Sequence, residues 1–208
     1  MNFTYIDLKN WSRREHFEHY LTKAPCSYSM TVKLDITKLK ESGNKLYPSM
    51  LFYLTQIINR HKELRMSFDD DKRLGYFNSV MPCYTIFHKD SETFSVLWTE
   101  CDGDYDEFLK AYENDLLIYR KNKSFEAKPG TPANVFNVSM LPWESFDGFN
   151  LNCPNGMDYL LPIFTIGKYY FEDGKWIIPF AIQANHAACD GFHICRLITE
   201  LREQLDFV

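Results

Sequence analysis

Gln183-Ala184-Asn185-His186-Ala187-Ala188-Cys189-Asp190-Gly191-Phe192-His193 reads as the end of a β-strand turning into a helix. Upstream, residues 176–184 are mostly apolar, as in a buried strand. Downstream, residues 192–205 place Cys195, Ile198, Leu201 and Leu205 on one side of a helix. Asp190 is a candidate N-cap, able to accept from the free amides of the first turn, and Gly191 permits close backbone approach. A histidine at a strand terminus can project into a cleft while its backbone stays rigid. An ordinary imidazole, with a pKa of about 6.5, keeps one nitrogen free at neutral pH to take a proton from a hydroxyl. Taken alone, H-x-x-x-D is common by chance. Without further context His186 reads as an ordinary core or surface residue, and Asp190 as a simple cap.

Working outward, a hairpin is predicted from residues 163–171 and 176–184, turning at Glu172-Asp173-Gly174-Lys175. Further strands are predicted over 134–140 and 145–152. Residues 27–36 alternate strictly, with Tyr28, Met30, Val32, Leu34 and Ile36 on one face. Tyr47-Pro48 opens a helix whose apolar side is Met50, Leu51, Leu54, Ile57 and Ile58. Residues 83–88 and 93–99 read as a second hairpin around Lys89-Asp90-Ser91-Glu92. Residues 104–119 carry acids first and then Tyr105, Phe108, Tyr112, Leu116 and Tyr119 at helical spacing, and 128–132 is a connector. Strands and helices mix without regular βαβ alternation. The expected fold class is therefore α+β in two layers, a large mixed β-sheet with helices packed on one face, in a single domain over residues 1–208.

The 208 residues are 45% apolar and 16% aromatic, enough for a sizeable core. The net charge of −5 and the absence of a basic run leave nucleic-acid binding without an electrostatic footing. No stretch reaches the roughly 18 apolar residues of a membrane span, and the N-terminus lacks the pattern of a secretory signal. A cytoplasmic protein with no membrane partner is expected. Cys26, Cys83, Cys101, Cys153, Cys189 and Cys195 are scattered and form no C-x-x-C pair. They are expected to be reduced, with no metal site.

H-x-x-x-D-G resembles the signature shared by chloramphenicol acetyltransferases, dihydrolipoyl acyltransferase cores and peptide-synthetase condensation domains. The whole chain is similar to the first of these. The likeness runs through Asn10-Trp11-Ser12-Arg13-Arg14-Glu15-His16-Phe17, Tyr84-Thr85-Ile86-Phe87-His88 and Glu92-Thr93-Phe94-Ser95. It continues in Asn137-Val138-Ser139-Met140-Leu141-Pro142-Trp143, Phe149-Asn150-Leu151-Asn152 and Pro162-Ile163-Phe164-Thr165-Ile166-Gly167-Lys168-Tyr169.

The resemblance implies a chloramphenicol acetyltransferase-like fold and acetyl transfer from acetyl-CoA to the 3-hydroxyl of chloramphenicol, giving antibiotic resistance. Both substrates are bound together, and no acyl-enzyme forms. His186 is then the general base, its other ring nitrogen held by its own backbone carbonyl. Ser139 donates to the oxyanion, and Thr165 acts on the intermediate through a water. Asp190 pairs with Arg13 as architecture. The acceptor pocket draws on Tyr20, Ala24, Cys26, Tyr28, Phe94, Phe149 and Leu151, most of which would pass for core on periodicity alone. Lys45, Tyr47, Lys168 and Tyr169 match coenzyme A contacts, a Lys beside a helix N-terminus suiting phosphate. The family also implies a homotrimer with active sites at subunit interfaces, His186 facing Tyr20, Tyr28, Phe94, Ser139 and Thr165 of a neighbour.

Asn185 departs from the pattern, since many relatives carry a second histidine there. Adjacent strand residues point to opposite faces, so Asn185 is expected to lie away from the cleft. Two other readings remain: a related acyl-CoA transferase with another hydroxyl acceptor, and a weakly catalytic drug-binding protein.

Overall fold

The computed structural model describes residues 3–151 and 158–207. Its first strands are β1 (Phe3–Tyr5), β2 (Ser27–Asp35), β3 (Met66–Phe68), β4 (Leu74–Phe77) and β5 (Met81–His88). They are followed by β6 (Thr93–Trp98), β7 (Val135–Met140), β8 (Ile163–Ile166), β9 (Tyr170–Glu172) and β10 (Lys175–Asn185). The α-helices are α1 (Arg14–Glu18), α2 (Thr37–Glu41), α3 (Leu46–Arg60), α4 (Tyr105–Tyr119) and α5 (Gly191–Asp206).

The large sheet has the order β2-β10-β8-β7-β5-β6, with β9 also paired to β10. β7 runs parallel to both β5 and β8, while β2, β8 and β9 lie antiparallel to β10, so the sheet is mixed. On β10, Ile178, Phe180, Ile182 and Ala184 are buried. Their register partners on β2 are Leu34, Val32, Met30 and Tyr28, the apolar set of that strand's alternation. This face packs with α3 and α5 into one hydrophobic cluster that also takes in Met50, Leu51, Leu54, Ile57, Ile58, Leu197 and Leu201. α4 starts as its acids dictate: Asp104 accepts from the Glu107 amide at 3.0 Å, and Glu107 accepts from the Asp104 amide at 3.3 Å. A small antiparallel sheet, β1-β4-β3, stands apart.

Three local expectations are corrected. Residues 145–151 form no strand, and Asn152 lies outside the described residues. The Phe149 amide donates to Thr31 Oγ1 and the Leu151 amide to Gln183 Oε1, each at 3.2 Å. The segment thus crosses a face of the sheet, satisfied by side chains, instead of joining an edge. The predicted strand over 163–171 is broken: Ile166 pairs with Phe180 and Tyr170 with Ile177, leaving three residues opposite two. This is a bulge at Gly167. A Cβ there would fall 2.5 Å from the Pro179 ring and 2.7 Å from Phe146, so only glycine fits. Finally, Cys195 is exposed. The buried stripe of α5 is His193, Ile194, Leu197, Ile198, Leu201 and Leu205, centred away from Cys195.

The connector over 128–132 also does more than connect. Lys128 Nζ sits 3.0 Å from Asp115 Oδ1, donates to the Trp98 carbonyl at 3.2 Å, and lies 3.7 Å from the Trp98 ring centroid. Asp115 accepts from Thr99 at 2.8 Å, and Thr99 is hydrogen-bonded to Tyr84, also at 2.8 Å.

Candidate active site

β10 ends at Asn185, and the turn that follows is closed largely by that residue. Its Oδ1 accepts from the Ala187 amide at 3.0 Å, and its carbonyl accepts from Ala188 at 3.1 Å and Cys189 at 2.9 Å. Asn185 is itself buried, whereas the neighbouring His186 side chain keeps 28% of its surface exposed. The His186 amide donates to the Cys26 carbonyl at 3.1 Å, which prolongs the β2–β10 ladder and anchors the ring's base.

Tyr20 stacks on the imidazole with centroids 3.7 Å apart and planes 8° from parallel. Tyr28 meets it edge-on at 5.2 Å while donating its hydroxyl to the Cys189 carbonyl at 3.1 Å. His186 Nδ1 is buried without a hydrogen-bond partner, so the bond to its own carbonyl is not made. Nδ1 lies 3.6 Å from Asp190 Oδ1, too far for a hydrogen bond.

Asp190 is committed elsewhere. Arg13 Nη1 pairs with its Oδ2, and Arg13 Nη2 reaches Oδ1 at 3.3 Å and the carbonyls of Ala187 and Ala188 at 3.3 and 3.4 Å. One guanidinium thus ties the turn after His186 to the start of α5. Burial works against ionisation of Asp190, yet the bonds and charge of Arg13 outweigh it and its pKa is lowered. His193 accepts the Asp190 amide on Nδ1 at 2.9 Å, and burial, then Arg13, lowers its pKa. Burial pushes the Cys189 thiol up to about 12, so it is inert.

These shifts set a pH dependence. The fold favours neutral His193, so its contribution is complete above the unfolded pKa of about 6.5 and is lost as pH falls through the folded value. Ionised Asp190 contributes above about 3.9 and is lost lower still, as pH falls through its own lowered value. The melting temperature is expected to drop between pH 7 and 5, with a shallower slope in His193→Gln. A slope unaltered in that variant would contradict the assignment.

Ser139 on β7 and Thr165 on β8 are register partners, with their hydroxyls 3.0 Å apart. Ser139 opens into a cavity of about 440 Å³ that also contains Tyr47, Phe87, Phe94, Met140 and Trp143. The apolar run Met140-Leu141-Pro142-Trp143 at the end of β7 was the signal for this wall, and sequence reasoning assigned it no role. Phe94 and Tyr47 meet here although they were expected to serve different substrates. The Tyr47 hydroxyl donates inward to the Val138 carbonyl at 3.1 Å, and burial keeps it protonated.

His186 is not in this cavity. Thr165 is opposite Ala181 on β10, five residues before His186. At about 3.4 Å per residue the two lie roughly 17 Å apart along the strand. Of the acceptor-pocket residues, Tyr20, Cys26 and Tyr28 gather around His186, with Ala24 exposed nearby in sequence. Phe149 and Leu151 run over β2 and β10, and Phe94 is at the far cavity. Within the one chain, Tyr20 and Tyr28 both touch His186. Lys45 immediately precedes α3 and pairs with Glu113, Lys168 is exposed beside the bulge, and the Tyr169 hydroxyl accepts from Lys40 at 3.3 Å.

The family model described as chloramphenicol acetyltransferase matches residues 1–202. The chain belongs to the chloramphenicol acetyltransferase family. It is 56% identical over 206 residues to a chloramphenicol acetyltransferase of Clostridium perfringens, covering 99% of this chain and 100% of that protein. Identity to one from Campylobacter coli is 55%, with the same coverage. A solved structure of a chloramphenicol acetyltransferase superposes with a TM-score of 0.82 at 19% identity, over 98% of this chain and 99% of the other, and shows the shared fold. Membership in the chloramphenicol acetyltransferase family makes the protein an acyltransferase. The matched span includes Arg13, Ser139, Thr165, His186 and Asp190.

Proposed function

We propose that the protein transfers acetyl from acetyl-CoA to the 3-hydroxyl of chloramphenicol, and that it does so as a cytoplasmic homotrimer. The observation that carries the mechanism is His186, a stacked, partly exposed imidazole whose Nδ1 is buried. Nε2 takes the hydroxyl proton as that oxygen attacks the thioester carbonyl. The oxyanion so formed accepts from Ser139, and Thr165 supports it through a water. Collapse of the intermediate expels the thiolate of coenzyme A, which recovers the proton from the imidazolium, so atoms and charge balance. The product is 3-acetylchloramphenicol, whose blocked hydroxyl is the basis of resistance.

A base and an oxyanion donor must each lie within about 3 Å of reacting atoms, so the two must be close neighbours. A separation of roughly 17 Å along one chain is several times that reach. This supports a site completed by a second copy, His186 of one subunit facing Ser139 and Thr165 of the next. Closed three-fold symmetry then gives three equivalent sites. The exposed aromatic rings of Phe87, Phe94 and Trp143 around the cavity suit burial in such an interface.

The test is release of free thiol from acetyl-CoA with and without chloramphenicol. Chloramphenicol-dependent release at steady turnover is expected. Drug binding with no release would instead make the protein a sequestering one.

A further inference from the structure

His193, in the first turn of α5, has no part in the reaction proposed above, yet its side chain is buried to 10% exposure directly behind the catalytic turn. Its Nδ1 accepts the backbone amide of Asp190 at 2.9 Å. A backbone N–H can only donate, so Nδ1 carries no proton and the ring is neutral with its hydrogen on Nε2. This is the backward half of a capping box, with histidine in the place three residues after the N-cap that Glu or Gln usually takes. On the other side of that contact, the Asp190 carboxylate holds Arg13. Arg13 in turn holds the carbonyls of Ala187 and Ala188, the two residues that follow His186. A second layer backs the ring: Arg196 reaches Glu63 Oε2 at 3.2 Å, and the Cys189 thiol donates to the Glu63 carbonyl at 3.3 Å. The charged groups facing His193 are thus Arg13 before α1, Glu63 in the turn after α3, and Asp190 and Arg196 at and along its own helix.

We propose that His193 is a positioning residue for catalysis: its neutral imidazole locks the turn that aims His186, and a proton on Nδ1 releases that lock. This rests on the reading of His186 as the general base. A protonated Nδ1 is a donor facing a donor, so the Asp190 amide loses its acceptor and a second cation stands beside Arg13. The disturbance reaches Asp190 first and then, through Arg13, the carbonyls of Ala187 and Ala188. A base must lie within about 3 Å of the proton it takes, so a small shift of this turn costs rate while the surfaces that bind substrate stay in place. Burial, then Arg13, lowers the His193 pKa, which keeps the lock closed at neutral pH and opens it in acid.

The experiment compares wild type, His193→Gln and His193→Leu. Gln keeps an acceptor for the Asp190 amide and cannot be protonated, whereas Leu keeps the bulk and removes the acceptor. At neutral pH His193→Leu is expected to lower kcat about ten-fold or more, the scale of one buried amide left unpaired, with the KM for both substrates held. His193→Gln should stay near wild type. In acid, over the range where circular dichroism shows each protein folded, log kcat/KM of wild type should approach a slope of two, one proton on His186 and one on His193. In His193→Gln the slope should be one. A kcat for His193→Leu within about two-fold of wild type would overturn the inference, as would a rise in KM at constant kcat. Equal acid slopes in wild type and His193→Gln would overturn it too, and that comparison decides alone if His193→Leu does not fold. Failure of the base reading is separable, since it shows as activity retained in His186→Ala.

Discussion

Replacing His186 by Ala is expected to lower kcat by a factor of about 10²–10⁴ while leaving the fold intact. The ring makes no hydrogen bond from Nδ1, and its ring contacts among the described residues are with Tyr20 and Tyr28. The turn around it is held by the backbone and by Asn185, Arg13 and Asp190, none of which the substitution touches. Melting temperature and oligomeric state should therefore stay near wild type while thiol release collapses. Retention of more than about a tenth of the activity would mean that another group takes the proton.

The second large effect is at Ser139. Ser139→Ala is expected to cost about 10²–10³ in kcat with little change in either KM, since an oxyanion donor acts on charge that exists only near the transition state. The change removes one hydroxyl from a cavity wall and leaves Thr165 without its partner at 3.0 Å. Thr165 is buried and sits on a strand held on both sides, so it should stay in place. A rise in the KM for chloramphenicol at constant kcat would instead place Ser139 among ground-state contacts.

Much of the architecture was legible because its signals are local and periodic. The alternation through Tyr28, Met30, Val32 and Leu34 appears as β2 on the core face, and Met50, Leu51, Leu54, Ile57 and Ile58 are all buried on α3. Where reading failed, a non-local cause can be named. Residues 145–151 have a strand-like pattern, but their amides find Thr31 and Gln183 side chains that only the folded sheet supplies. The need for glycine at the bulge comes from Pro179 and Phe146, distant in sequence, which crowd the space a Cβ at Gly167 would fill. Lys128 looked like part of a linker because Asp115, Thr99 and Trp98 come to it from two other elements. At the site, the pairing of Arg13 with Asp190 spans 177 residues, and no spacing rule could have reached it. It came from likeness to a family, as did Ser139 and Thr165.

In the proposed mechanism His186 and Ser139 act from different copies of the chain. The direct measurement mixes two inactive variants, His186→Ala and Ser139→Ala, by co-refolding at equal amounts, and assays thiol release from acetyl-CoA with chloramphenicol. If each site pairs His186 of one subunit with Ser139 of the next, random assembly restores roughly a quarter of the sites to an intact pair. Activity should then rise far above that of either variant refolded alone. If both residues serve the same site from one chain, every site keeps one defect, and the mixture will stay as inactive as its parts, which would contradict the account.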